Sequence, residues 1–184
     1  MSIPFKKSLR DFRGFTLVEL LVVIGIISIL ATILLLQLGT ARAKSRDAKR
    51  IADINQVRSA IEQEFDDVGF YHNTNDMTGL KPKYLSQVPV DPLSSCAPGT
   101  TYTGILGGGA QCYGYAYTLS AAAPTRYHIW AQLEQKNRNA LGTDADLNSA
   151  GWSGAPFDAS NPAVSELCPS PIGAGFNCVF DLGL

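Results

Sequence analysis

A chain of 184 residues has room for one domain of ordinary size and an appendage. Its 15 Lys and Arg against 16 Asp and Glu leave a net charge of −1, which excludes selection of a partner by bulk electrostatics. The local placement of charge and apolar residues is far more informative.

From Phe15 to Leu36 run about 22 residues whose only ionisable group is Glu19, enough at ~1.5 Å per residue to cross a hydrocarbon core of about 30 Å. This predicts a transmembrane helix. Lys6, Lys7, Arg10 and Arg13 precede it with Asp11, and Arg42, Lys44, Arg46, Lys49 and Arg50 follow it with Asp47, so charge bias alone leaves its direction open. A secretory signal peptide also begins with a basic region and an apolar run, and Ala41-Arg42-Ala43 offers a small-x-small cleavage site. Against that reading stand the length of the run, the presence of Glu19, and a helical periodicity that passes straight through the site.

Ile51, Ile54, Val57, Ile61, Phe65 and Val68 recur at steps of three and four, with Asp53, Arg58, Glu62, Glu64 and Asp66 at the remaining positions, so one helical face is apolar. No proline lies between Phe15 and Gly69, and Gly25 and Gly39 weaken the helix only locally. The expectation is one helix of about 54 residues and ~80 Å, stopped by Gly69. The basic run from Arg42 to Arg50 suits phosphates of DNA or lipid; on a helix leaving a bilayer it more often forms a headgroup and salt-bridge face.

Residues 70–184 have globular composition. Tyr113, Tyr115, Tyr117 and Leu119 alternate with Gly114, Ala116 and Thr118, and Tyr127, Ile129, Ala131 and Leu133 alternate with His128, Trp130 and Gln132, which predicts two strands of a hairpin joined across Ser120 to Arg126. Cys178 to Leu182 reads as a short final strand, and Gly107 to Gly109, Ala121 to Pro124 and Asn148 to Pro162 as loops. So small a sheet cannot bury enough surface alone, so the amphipathic half of the helix is expected to cover one face.

Cys96, Cys112, Cys168 and Cys178 all follow the apolar run, at spacings unlike those of zinc knuckles. Disulfides between sequence neighbours, Cys96 with Cys112 and Cys168 with Cys178, are one reading and imply an oxidising compartment; four buried thiols are the other. His72 and His128 sit in no catalytic motif, Gly107-Gly108-Gly109 lacks the Lys-Ser/Thr of a phosphate loop, and Gly173-Ala174-Gly175 follows no convincing strand. No enzyme is indicated.

Lys6 to Arg13, then Gly14-Phe15-Thr16-Leu17-Val18-Glu19 and an apolar run, resembles the class III leader of type IV pilins and type II secretion pseudopilins. The resemblance implies that a prepilin peptidase cuts between Gly14 and Phe15 and methylates the new Phe15 amine. It implies a cytoplasmic leader over 1–14, a transmembrane and assembly helix over 15–36, its amphipathic continuation over 37–69 and an extracytoplasmic β-rich head over 70–184. The fold implied is α+β and pilin-like, a long N-terminal helix packed through its distal half on a small antiparallel sheet. A lone carboxylate near a membrane interface otherwise snorkels or stays protonated. In this family Glu19 of one subunit neutralises the Phe15 amine of its neighbour, so both charges are satisfied only in the assembled bundle.

"YLSQVPVDP" from Tyr84 to Pro92, the Tyr-rich strand and "TDADLNSAGW" from Thr143 to Trp152 are similar to segments of the major pseudopilin of type II secretion, where a loop with closely spaced Asp residues holds calcium. Asp144, Asp146 and Asn148 present alternate oxygen ligands, suited to a hard cation. Gly151 comes too late for an EF-hand turn and no Glu stands at the twelfth position, so a solvated turn explains the same residues. No cofactor is required, and calcium is the one that the resemblance suggests. The chain departs from the pseudopilin pattern in its length beyond Trp152 and in the Cys168/Cys178 pair, which resembles the C-terminal disulfide loop of true type IV pilins. No proline kinks the helix near Leu36, so pseudopilus and pilus both stand.

The function expected is that of a structural filament subunit, single-pass in the inner membrane with a cytoplasmic N-terminus, later part of a pilus or pseudopilus. Its partners would be itself and other pilin-like subunits, the prepilin peptidase, an inner-membrane assembly platform, and lipid before assembly. The alternative is a membrane-tethered binding module, such as a minor pilin, an adhesin or a DNA-uptake tip protein that uses calcium. Past Gly69, Lys81, Lys83, Arg126, Lys136 and Arg138 stand against eight acids, which argues against a nucleic-acid-binding head.

Overall fold

The computed structural model describes residues 14–74, 77–93, 113–118, 123–160, 168 and 178–184. The chain divides into two compact units, one up to Ala41 and the other from Arg42 onward. Helix α1, Leu17–Val68, contributes to both. A 3₁₀ turn follows at Met77–Leu80, then strands β1, Gly114–Tyr117, and β2, Tyr127–Gln132. A short helix α2, Arg138–Leu141, precedes β3, Ser153–Gly154, and β4, Val179–Gly183.

In the first unit, α1 buries none of its described side chains: every apolar residue from Leu17 to Leu35 is exposed. Two of its hydroxyls close onto the preceding turn, Ser28 Oγ donating to the Ile24 carbonyl at 2.7 Å and Thr32 Oγ1 to that of Ser28 at 2.6 Å. An apolar medium demands this closure of hydroxyl groups onto the preceding turn. The helix is long and apolar enough to cross a membrane.

In the second unit the periodic residues of α1 meet a four-stranded antiparallel sheet of order β3-β1-β2-β4. Ile54, Val57, Ala60 and Ile61 are buried against Tyr115, Tyr127, Ile129 and Phe180, while Val68 remains exposed. At the helix end Gly69 adopts a φ of 81° and its N–H reaches the Phe65 carbonyl at 2.8 Å, the left-handed cap that ends the helix where expected. The α+β arrangement of a long helix on a small antiparallel sheet is therefore present.

The tyrosines are what join helix to sheet. Tyr113 and Tyr127 lay their rings in the core and donate their hydroxyls to Asp53 and Glu62 of α1, each at 2.7 Å. Asp53 and Glu62, which fall between the apolar positions of the periodic pattern, are thus counter-groups for the sheet, and Asp53 is buried. A buried phenol needs such an acceptor.

The sheet is covered on its other face as well. Trp130, Ala155, Val179 and Phe157 form a second small core there, with the Trp130 indole donating to the Ala155 carbonyl at 3.2 Å. Gly114 lies opposite Trp130, and a Cβ at that position would stand 1.9 Å from the indole ring, so only glycine fits. The segment expected to be a loop from Asn148 onward supplies this cover and adds edge strand β3, which pairs with Ala116 and Tyr117.

Candidate functional site

The N-terminal site is built by the first turn of α1. Thr16 N donates to Glu19 Oε2 at 2.9 Å, Thr16 Oγ1 donates to the same oxygen at 2.7 Å, and Glu19 N donates to Thr16 Oγ1 at 3.2 Å. This reciprocal pairing is the capping box written in sequence as Thr-x-x-Glu. It satisfies two helix-end donors that nothing else reaches. Glu19 Oε1 makes no hydrogen bond among the described residues, and Phe15 beside it is 83% exposed. Among the described residues Gly14 has nothing within 4 Å of where a Cβ would lie. The leader before Gly14 lies outside the described residues.

The basic run divides sharply. Arg50 is fully buried, its guanidinium reaching Asp91 Oδ2 at 2.5 Å, Asp47 Oδ1 at 2.8 Å and Glu134 Oε1 at 2.7 Å. Arg46 forms a second ion pair with Glu134, and Lys49 reaches Asp53 Oδ2 and the Val90 carbonyl, each at 3.0 Å. Asp47 additionally accepts the backbone N–H groups of Glu134 and Gln135, each at 2.8 Å. The Arg46 guanidinium beside Glu134 holds that carboxyl below its usual range, whereas burial pushes Asp47 up. Chemically this is a clamp that fixes α1 to the end of β2 and to the "VPVDP" segment.

The third site lies where the loop after α2 meets β4. Asp181 accepts from Asp146 N at 3.3 Å through Oδ1 and from Leu147 N at 3.0 Å through Oδ2, while Asp181 N donates to Asp144 Oδ2 at 3.4 Å. Asp144, Asp146 and Asp181 offer carboxylate oxygens that all lie within 4.8 Å of one another. Asp144 Oδ1 is buried with no hydrogen-bond partner. Burial and the charge of Asp181 raise the Asp144 carboxyl to about 7. Three converging carboxylates with one orphaned buried oxygen form a donor set that suits a hard cation. Of the sequence-predicted ligands, Asp144 and Asp146 are brought together. Asn148 turns its Oδ1 to Ala150 N at 2.9 Å and its backbone bridges Asp158. Asp181 occupies the third position, a residue that the sequence reading passed over although it is the lone acid inside the apolar run of β4.

Behind Asp181 stand His128 and Ser149. His128 Nε2 lies 2.9 Å from Asp181 Oδ2 and its Nδ1 lies 2.8 Å from Ser149 Oγ. The order Ser-His-Asp matches a hydrolytic triad, yet all three residues are buried and Ser149 Oγ also accepts the Phe157 N–H at 2.8 Å. A nucleophile needs an approach for its substrate. Here the row is a strut that orients Asp181. His72 is likewise structural, placed between Glu64 at 3.0 Å and Thr74 at 3.0 Å.

Cys168 and Cys178 form a disulfide, with Cα atoms 4.4 Å apart, as the sequence pairing expected. Cys96 and Cys112 lie outside the described residues.

A family model described as the prokaryotic N-terminal methylation motif matches residues 9–35. The match supports a prepilin-like protein, and the motif implies processing by a prepilin peptidase and assembly with pilin-like subunits. Proteins carrying it are structural rather than enzymatic. No solved structure matches the chain.

Proposed function

We propose that the chain is a structural subunit of a pilus or pseudopilus, stored in the cytoplasmic membrane through residues 15–36 and assembled through the same helix after cleavage behind Gly14. The observation that carries this reading is the contrast inside α1. Residues from Leu17 to Leu35 expose every apolar side chain, while the distal half completes a closed core of its own. Lipid before assembly and neighbouring helices afterwards are the two media that such a surface fits. Glu19 then has a specific task. Its Oε2 is held by Thr16, and the free Oε1 is the atom that would accept the methylated Phe15 amine of a neighbour.

The test is Glu19→Val. Insertion should persist, because a charge in a membrane helix costs up to about 2.5 to 3.5 kcal/mol and its removal costs nothing. Filament incorporation should collapse, since an unpaired amine in the bundle costs about 3 to 5 kcal/mol. Normal filaments from correctly cleaved Glu19→Val subunits would refute the mechanism. Intact mass of membrane-extracted protein should show a chain beginning at methylated Phe15.

Calcium forms part of the same proposal. Asp144, Asp146 and Asp181 would hold the ion, which would neutralise three carboxylates and tie the loop after α2 to β4. Chelator should then lower the melting temperature of the chain, and millimolar calcium should restore it. A melting temperature indifferent to both would remove the ion from the proposal.

A further inference from the structure

The split of the basic run leaves a remainder. Arg46, Lys49 and Arg50 are matched by Glu134, Asp53, Asp47 and Asp91. Lys44 is not. It faces a groove of about 690 Å³ whose opposite wall is the segment from Gln135 to Asn139, with Lys136 and Arg138 among its lining residues. All three cations are exposed, and none engages a carboxylate among the described residues. The acids nearest the groove cannot neutralise them. Asp47, which lines it, spends its oxygens on Arg50 and on the Glu134 and Gln135 N–H groups, and Glu134 is taken by Arg46 and Arg50. Three cations without a carboxylate partner among the described residues therefore gather beside a cluster of three cations and four carboxylates, and the region keeps a net charge of about +2. Gln135, Asn137 and Asn139 add amide groups to the same walls.

We propose that this groove binds the phosphate headgroup of an anionic phospholipid. Phosphate chemistry follows from the donors: two ammonium groups and one guanidinium, which suits a compact multidentate anion. Lipid as the source follows from position, because Lys44 comes eight residues after Leu36, the last residue of the apolar run. Cations immediately beyond a membrane segment sit in the headgroup layer and gain from anionic lipid. The inference rests on the membrane-anchored reading above and adds to it a lipid preference that the apolar helix alone would not create.

The full chain is reconstituted in nanodiscs of mixed phosphatidylglycerol and phosphatidylcholine. Membrane retention in alkaline carbonate is checked first, and the lipids retained on release are then counted by native mass spectrometry. Phosphatidylglycerol should be retained in preference. Each cation near an anionic surface is worth about fivefold, so Lys136→Gln combined with Arg138→Gln should reduce the preference by about 25-fold, and Lys44→Gln alone by about fivefold. Amide exchange across residues 135–139 should slow in phosphatidylglycerol discs and not in phosphatidylcholine discs. An unchanged lipid ratio in the variants would overturn the proposal. So would equal protection by millimolar inorganic phosphate without anionic lipid, which would assign the groove to a free anion. Variants that keep the lipid ratio but lose subunit cross-links in filaments would assign it to a second copy's carboxylates instead. Release of the wild type by carbonate would overturn the anchor reading together with the groove. Retention with an unchanged ratio would overturn the groove alone.

Discussion

The two halves of α1 obey opposite rules. Up to Ala41 the helix exposes Ile24, Ile27 and Leu34 while its one ionisable side chain, Glu19, is tied to the helix's own first turn. From Arg42 onward the same helix buries its apolar face and, with it, charges that soluble surfaces normally keep in water: Arg50, Asp47 and Asp53 are all buried. The difference teaches what each half is folded against. A residue buried within the chain must find its partners there, so the distal half carries its counter-charges in Asp91, Glu134 and the tyrosines. The proximal half finds none among the described residues, and on the reading proposed above lipid and neighbouring helices take their place.

The sharpest break of this comparison is at Arg50. Arg50→Ala strips three carboxylates of their shared cation, and breaking a buried ion pair from one side costs about 3 to 5 kcal/mol. Denaturant unfolding of the detergent-solubilised chain, followed by fluorescence of the buried Trp130, should show a head destabilised by that amount. A loss below about 1 kcal/mol would mean that the clamp is not formed in solution.

A matched pair tests the apolar side. Ile61 is fully buried and Ile27 is 58% exposed. Ile61→Ala should cost the head about 2 to 4 kcal/mol through lost transfer and cavity formation, whereas Ile27→Ala should leave it within about 0.5 kcal/mol. Equal effects would show that the head depends on the proximal half, against the division drawn here. One step smaller, Tyr127→Phe removes the hydroxyl that reaches Glu62 and should cost about 1 to 2 kcal/mol in the same unfolding measurement, because a partner carboxylate is left unsatisfied.

Much of this was legible in the sequence, for a physical reason. Where one pattern serves one medium, periodicity suffices: the apolar run, the amphipathic continuation, the stop at Gly69 and strands β1, β2 and β4 were all expected within a residue or two. The capping box stands in the sequence as Thr16-x-x-Glu19 but is passed over there, because Glu19 is read only against the membrane and a neighbouring subunit. What periodicity cannot encode is a partner distant in sequence. Strand β3 is two residues in a Gly- and Ser-rich stretch, defined only by its pairing with β1, to which the next residue adds Ala155 N donating to the Tyr115 carbonyl at 2.8 Å. Asp181 joins Asp144 and Asp146 across more than thirty residues. The signal was nevertheless there, a single acid between Phe180 and Leu182, of the same kind that made Glu19 conspicuous.

That second lone acid leads to the smallest effect. The folded chain holds a proton on Asp144 up to about pH 7, while an unfolded aspartate releases it near 3.9. Between those values the folded state binds the extra proton, so this group's contribution to stability falls as pH rises through the window and is fully lost above 7. Glu134 behaves in the reverse sense, because its carboxyl, paired with Arg46 and Arg50, is lowered and loses its contribution only as pH falls. Asp144→Asn removes the repulsion with Asp181 without removing bulk. With chelator present it should therefore raise the melting temperature at pH 8, by an amount that partial solvent exposure limits to roughly 1 kcal/mol, or about 2 to 4 °C. At pH 5 the gain should vanish, since the wild-type carboxyl is then already neutral in the folded chain. In calcium at pH 8 the order should invert, with the wild type melting above the variant, because only the carboxylate can meet the ion's charge. A variant that is equally stabilised at both pH values would show that the gain comes from hydrogen bonds of the new amide and not from relief of repulsion between the acids.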